Sequence, residues 1–247
     1  MAKFAVILAA AGRSTRFGDS KRKKPFIDLN GKPVWLRAAE PFLAHKDVTQ
    51  VIIVVSPDDL EWFKEKFRPN LAFMDIQVAT GGDQRADSVQ NALSLVNADV
   101  DYIAVHDAAR PLITTDWIDA VFQEAQKSGA AIPAAPIRGT IKRASKGFIE
   151  ETVPRTALWE AQTPQVFERK LLLDAYQQRD KFNATDEAQL IEKTGHAVSI
   201  VECSSMNIKI TTKDDLRIAG ALLNALPKKK TLRPLHPFAD EKPDLFS

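Results

Sequence analysis

The sequence holds a single cysteine, Cys203, so no intrachain disulfide can form. There is no CxxC pair and no Cys/His ligand spacing, which removes the case for structural zinc, and such cysteine usage suits a reducing, cytoplasmic setting. Long apolar runs are missing too. The longest, Phe4 to Ala11, is far short of the roughly 20 residues a membrane-spanning helix needs, and the lone Lys3 before it is too little charge for a secretory signal. Nor is there an excess of one charge. The 34 Lys+Arg against 32 Asp+Glu leave a formal +2, so affinity for anions must come from local clusters, and neither nucleic acid nor membrane is an expected partner.

What is present is an ordinary globular composition, 45% hydrophobic and 27% charged over 247 residues. At about 150 residues per domain this length implies one large domain or one with an elaboration. Strand-like and helix-like segments alternate: strand Phe4–Ala9, helix Val34–His45, strand Val51–Ser56, helix Asp58–Phe67, helix Ser88–Val96, strand Tyr102–His106, helix Asp116–Lys127, strand Ala130–Ala135. That rhythm implies βαβ units, and the strands without strict polar alternation suit a buried parallel sheet. Ser56-Pro57-Asp58-Asp59 reads as a helix start.

Between Ile137 and Val153 the rhythm breaks into two short alternating segments around Ser145-Lys146-Gly147, a protruding hairpin of the kind that serves an oligomer. Helices at Glu168–Gln178 and Asp186–Thr194, strands at Val198–Glu202 and Asn207–Ile210, and a last helix opened by Thr212-Lys213-Asp214-Asp215 complete the expected order. The reading is one domain over residues 1–226 with an arm at about 137–153, then a flexible tail over 227–247 carrying Pro227, Pro234, Pro237 and Pro243.

The first strand runs into Ala9-Ala10-Ala11-Gly12-Arg13-Ser14-Thr15-Arg16-Phe17-Gly18, whose small residues let backbone N–H groups approach a phosphate. It is neither GxxxxGK[ST] nor GxGxxG, and alone it reads equally as a tight turn. Lys21-Arg22-Lys23-Lys24 follows at once. Alone such a run is a solvated surface or a localisation signal; behind a small-residue loop it can surround a triphosphate.

Together with Gly31-Lys32-Pro33-Val34, this loop resembles sugar-type nucleotidyltransferases. Later motifs narrow the resemblance: Gly81-Gly82-Asp83-Gln84-Arg85-Ala86-Asp87-Ser88-Val89, Val105-His106-Asp107-Ala108-Ala109-Arg110-Pro111, Thr163-Pro164-Gln165 and Thr185-Asp186-Glu187. Their order from about Phe4 to Leu223 is similar to the 2-C-methyl-D-erythritol 4-phosphate cytidylyltransferase family. The resemblance implies a three-layer, Rossmann-like α/β nucleotidyltransferase fold with a mostly parallel sheet and a β-arm. It implies transfer of CMP from CTP to methylerythritol 4-phosphate, with pyrophosphate released.

In-line attack by a substrate phosphate oxygen needs no protein nucleophile; it needs two anions held together and the developing charge neutralised. The resemblance gives that role to Arg16 and Lys24, with Lys23 as an alignment rival, and phosphate binding to the backbone of Ala10, Ala11 and Gly12. Gly82, Asp83 and Ser88 would read the base. Asp107 would contact nucleotide and Mg2+, and Arg110 beside it would contact substrate. Thr140, Arg155, Thr163 and Thr185 would hold the acceptor and Lys209 its phosphate, with Thr140 and Arg155 entering the neighbour's site across a homodimer formed by the arm. His106 reads as structural, because a substrate phosphate is already ionised. Ser14 stands where many relatives have a second glycine. Two rivals remain at this point: a ribitol 5-phosphate cytidylyltransferase, which would share the CTP half, and a non-catalytic nucleotide-binding regulator.

Overall fold

The computed structural model describes residues 1–12, 24–180 and 182–227, with the Lys24 side chain excepted. The apolar run Phe4–Ala9 forms β1, whose side chains alternate between two cores and so fix its place at the centre of the sheet. Phe4, Val6 and Leu8 point to one face, Ala5 and Ile7 to the other. After it come a tight hairpin, β2 (Asp28–Leu29) and β3 (Lys32–Pro33), helix α1 (Val34–Leu43), and strand β4 (Val48–Val55) parallel to β1.

Next, the expected helix over 58–67 divides. A 3-10 turn at Pro57–Asp59 leads into α2 (Leu60–Lys66), then α3 (Arg68–Phe73) and strand β5 (Ile76–Thr80), the last two unforeseen in the sequence. The chain continues through α4 (Arg85–Leu93), β6 (Tyr102–Asp107), α5 (Thr115–Ser128) and β7 (Ala130–Pro136). A separate two-stranded hairpin, β8 (Ile141–Ser145) and β9 (Phe148–Val153), turns at Lys146-Gly147, both at positive φ as such a turn requires. Strands β10 (Trp159–Ala161) and β11 (Gln165–Glu168), helices α6 (Arg169–Gln177) and α7 (Glu187–Lys193), strand β12 (Ser199–Glu202) and helix α8 (Lys213–Leu222) complete the described chain. None of the helices among the described residues is long and apolar enough to cross a membrane.

The main sheet runs β10-β7-β11-β6-β1-β4-β5, with β12 parallel on β7. Only β10 and β11 are antiparallel to their neighbours. One face is covered by α1, α2 and α5 through Trp35, Phe42, Phe63 and Phe122; the other by α4, α6 and α7 through Val89, Leu172 and Ile191. These are the three layers of a mixed α/β fold. Each fully buried aromatic or branched side chain contributes roughly 1.5–3 kcal/mol.

Asn207–Ile210 is not a strand. Its alternating pattern is real, but Asn207 is wholly buried and makes side-chain bonds, and Ile210 gives its N–H to the Ala109 carbonyl at 2.8 Å rather than to a ladder. The segment therefore crosses the end of the sheet.

Candidate active site

Parallel strands that end together present their following loops to one another, and ligands in such sheets bind at that carboxyl end. Here the loops after β1, β4, β5 and β6, with the crossing segment before α8, enclose a cleft of about 590 Å³. Ala10, Ala11 and Gly12 line it, as do Gly82, Asp83, Ser88, Asp107 and Lys209. Arg16, Lys23 and Ser14, the Lys24 side chain and the tail from Lys228 lie outside the described residues.

The two glycine-bearing walls are held at close range. Ala10 gives its N–H to the Val54 carbonyl at 3.0 Å and Gly81 to that of Val55 at 2.7 Å. A Cβ on Gly81 would stand 2.6 Å from the Ala11 Cβ, so only glycine lets the loops after β1 and β5 approach this closely. The Ser88 hydroxyl accepts from the Gly82 N–H and donates to the Gln84 carbonyl, both at 3.0 Å, so it shapes the turn whose exposed edge is Gly82 and Asp83. Asp87 accepts from the Gln84 N–H at 3.0 Å and pairs with Arg179, fastening the start of α4.

Asp107 closes the floor at the end of β6. Lys209 Nζ reaches its Oδ2 at 2.8 Å, and Arg110 Nε lies 3.6 Å from the same atom. Burial would raise the Asp107 pKa, but the charges of Lys209, Arg85 and Arg110 outweigh it and hold the carboxylate well below its usual range. It is ionised throughout the working range of pH.

Behind this floor the motif residues bind one another. The Asp107 N–H donates to the Thr163 hydroxyl at 3.0 Å, and that hydroxyl meets His106 Nδ1 at 3.0 Å. His106 Nε2 lies 3.1 Å from the Arg110 carbonyl, which can only accept, so Nε2 carries the proton and Nδ1 accepts from Thr163. Burial pushes the His106 pKa down from 6.5 to about 4, and the ring is neutral at pH 7. Arg110 is itself buried and donates to the Asn207 carbonyl at 2.6 Å; Asn207 donates in turn to Gln162 Oε1 and to the Thr163 carbonyl.

Thus Arg110 and Thr163, read from the sequence as substrate contacts, pack behind Asp107 rather than lining the cleft. Thr185 is exposed and bonds Gln189 Oε1, while Thr140 and Arg155 are exposed at the base of the hairpin, Arg155 donating to the Arg138 carbonyl. These three do not line the cleft of their own chain.

Two side chains carried no assigned role in the sequence. Arg85 lines the cleft, and its guanidinium forms a two-pronged pair with Glu187 at 2.6 and 2.8 Å. The partners stand 102 residues apart, and the only signals were the arginine of Gly81–Val89 and the acid of Thr185–Glu187.

A family model described as 2-C-methyl-D-erythritol 4-phosphate cytidylyltransferase matches residues 4–225. The protein of that name from Endomicrobium trichonymphae is 42% identical over 224 residues, 90% of this chain and 100% of its own. That from Rhodopirellula baltica is 42% identical over 234 residues, 90% and 96% of the two chains. Among solved structures, the crystal structure of 4-diphosphocytidyl-2C-methyl-D-erythritol synthase aligns with a TM-score of 0.77 at 31% identity, covering 90% of this chain and 99% of that one. The 2-C-methyl-D-erythritol 4-phosphate cytidylyltransferase of Thermus thermophilus aligns with a TM-score of 0.74 at 28% identity, over 88% and 98% of the two chains.

Proposed function

This chain belongs to the 2-C-methyl-D-erythritol 4-phosphate cytidylyltransferase family, and from that premise we propose how its cleft carries the reaction. It is a cytidylyltransferase that forms 4-diphosphocytidyl-2-C-methyl-D-erythritol from CTP and methylerythritol 4-phosphate in isoprenoid precursor synthesis. The nucleotide occupies the cleft between Ala10–Gly12 and Gly82–Ser88, where close-set backbone reads the base and holds phosphates. A phosphate oxygen of the acceptor attacks the α-phosphorus in line, the bond to the β-phosphate oxygen breaks, and pyrophosphate leaves. Arg16 and Lys24 neutralise the charge gathering on the triphosphate, and Lys209 guides the attacking phosphate. The observation that carries this reading is the Lys209–Asp107 pair at 2.8 Å, a fixed cation and a fixed anion at the end of the sheet.

Mg2+ fits this donor set as an ion held chiefly by the triphosphate. Lys209 and Arg110 both approach Asp107 at Oδ2, and among the described residues no group of three His, Cys, Asp or Glu side chains could hold a metal by itself. When bound, Mg2+ would draw charge from the phosphate oxygens.

The active unit is proposed to be a homodimer. Phe148 and Ile149 leave 78% and 65% of their surface exposed on the arm, an apolar pair suited to a second copy. Thr140 and Arg155 beside that arm would then complete the partner's acceptor site, and Thr163 and Arg110 would act through Asp107. The one cysteine, Cys203, supports a reducing, cytoplasmic location.

The test is to incubate the protein with CTP and Mg2+, offering methylerythritol 4-phosphate or ribitol 5-phosphate in parallel, and to follow pyrophosphate with the nucleotide product identified by mass. Preference for methylerythritol phosphate is expected. Preference for ribitol phosphate, or no release with either, would overturn the assignment of this cleft.

A further inference from the structure

Arg85 stands in the cleft wall with two carboxylates within reach of its charge. Burial works against that charge, and Glu187 and then Asp107 outweigh it. Glu187, 1% exposed, takes both terminal nitrogens, Nη1 at 2.6 Å and Nη2 at 2.8 Å. The Tyr176 hydroxyl donates to Glu187 Oε1 at 3.2 Å, and both neighbours of Glu187 are tied to Gln165, which donates to the Asp186 side chain at 2.8 Å and accepts from the Ala188 backbone N–H at 3.0 Å. The Glu187 carboxylate therefore cannot move toward the cleft. Arg85 is different. Its side chain is long and 27% exposed, it shares the cleft lining with Asp107, and its positive charge helps to keep that carboxylate ionised.

A two-pronged pair with a carboxylate is the strongest arrangement open to a guanidinium. If Glu187 did not hold it, Asp107, the other carboxylate whose charge acts on Arg85 and a member of the same cleft lining, would draw it. Arg85 on Asp107, added to Lys209 and Arg110, would compete with a ligand for that carboxylate. A buried acid 102 residues from Arg85 in sequence, which does not itself line the cleft, thus controls what the floor of the cleft can bind.

We propose that Glu187 is a positioning residue: by occupying both terminal nitrogens of Arg85 it keeps that guanidinium off Asp107 and leaves the carboxylate free for the nucleotide. This rests on the assignment of Asp107 to nucleotide binding.

Glu187→Gln keeps the shape and removes the charge. Titration calorimetry of CTP with Mg2+ present is expected to show affinity at least tenfold weaker, while kcat at saturating CTP changes less than threefold. Removing the guanidinium as well, in Glu187→Gln/Arg85→Gln, is expected to recover most of the lost affinity, a rescue that a merely structural pair would not give. A double variant no tighter than Glu187→Gln overturns the proposal. Should Glu187→Gln fail to fold by circular dichroism, arginine-selective nitrogen NMR on the unaltered protein decides. Slowly rotating Arg85 Nη signals that stay unchanged at saturating CTP are expected, and their displacement on CTP binding overturns the proposal. Asp107→Asn separates the two assignments. Unchanged CTP affinity there removes the premise, whereas a loss there with full affinity in Glu187→Gln removes this inference alone.

Discussion

The backbone N–H of Asp107 is bound by the hydroxyl of Thr163 at 3.0 Å, so a residue on the loop before β11 sets the position of the carboxylate at the end of β6. The same hydroxyl serves His106, and both partners are buried. Thr163→Val removes the hydroxyl at nearly constant volume and leaves a buried donor and a buried acceptor unpaired. A loss of about 1–3 kcal/mol in urea unfolding is expected, with lower turnover, while Thr163→Ser keeps most of both. Equal stability of Thr163→Val and the parent would remove this role.

His106 is buried and neutral with a pKa lowered from 6.5 to about 4, because burial disfavours its charged form. An unfolded chain takes up a proton there sooner than the folded one. The contribution is complete above pH 6.5 and lost as the pH falls toward 4, amounting to about 3 kcal/mol. Urea midpoints of the nucleotide-free, metal-free protein, measured between pH 7 and 4, are expected to fall more steeply than those of His106→Gln. Parallel curves would contradict it.

Gly81→Ala places a Cβ 2.6 Å from that of Ala11. One of the two loops must shift, at a cost of about 1–3 kcal/mol, and the KM for CTP is expected to rise by tenfold or more, since both loops line the cleft. Gly139→Ala, with nothing within 4 Å, serves as the control for stability.

The arm supplies a further prediction. Ile149→Asp puts a charge on an exposed apolar pair and is expected to shift the protein toward monomer in sedimentation, with the KM for methylerythritol phosphate raised. Arg155→Ala is expected to raise the same KM tenfold or more while changing CTP affinity less than threefold. A matching loss of CTP affinity would count against the role given to Arg155.

The elements most legible in the sequence were those with the simplest burial. Phe4–Ala9 is apolar throughout because both its faces are covered, and its ends coincide with those expected. Ile76–Thr80 was unforeseen because an edge strand carries polar residues, here Gln77 and Thr80, that blur its pattern. Asn207–Ile210 misled in the opposite direction: its alternation reflects a segment packed across the sheet's end, with Asn207 turned inward to hold Gln162 and Thr163. In the cleft, loops and charges stood out as motifs. The packing behind them did not, since Thr163 meets the Asp107 N–H from 56 residues away and Arg110, three residues from Asp107, is held by the Asn207 carbonyl 97 residues on. The Arg85–Glu187 pair has no local pattern at all.

The crossing segment before α8 also sets an order in time. Strand β12, the last of the sheet, ends at Glu202, and Lys209 follows it in the chain. A ribosome that has delivered the whole sheet has therefore not yet delivered the cation lying 2.8 Å from Asp107. Until then the nascent domain carries a sunken carboxylate without its closest counter-charge and a cleft without one wall. Completion of the sheet and arrival of the Lys209 charge at Asp107 are separate events in the life of each molecule, divided by the synthesis of a few residues.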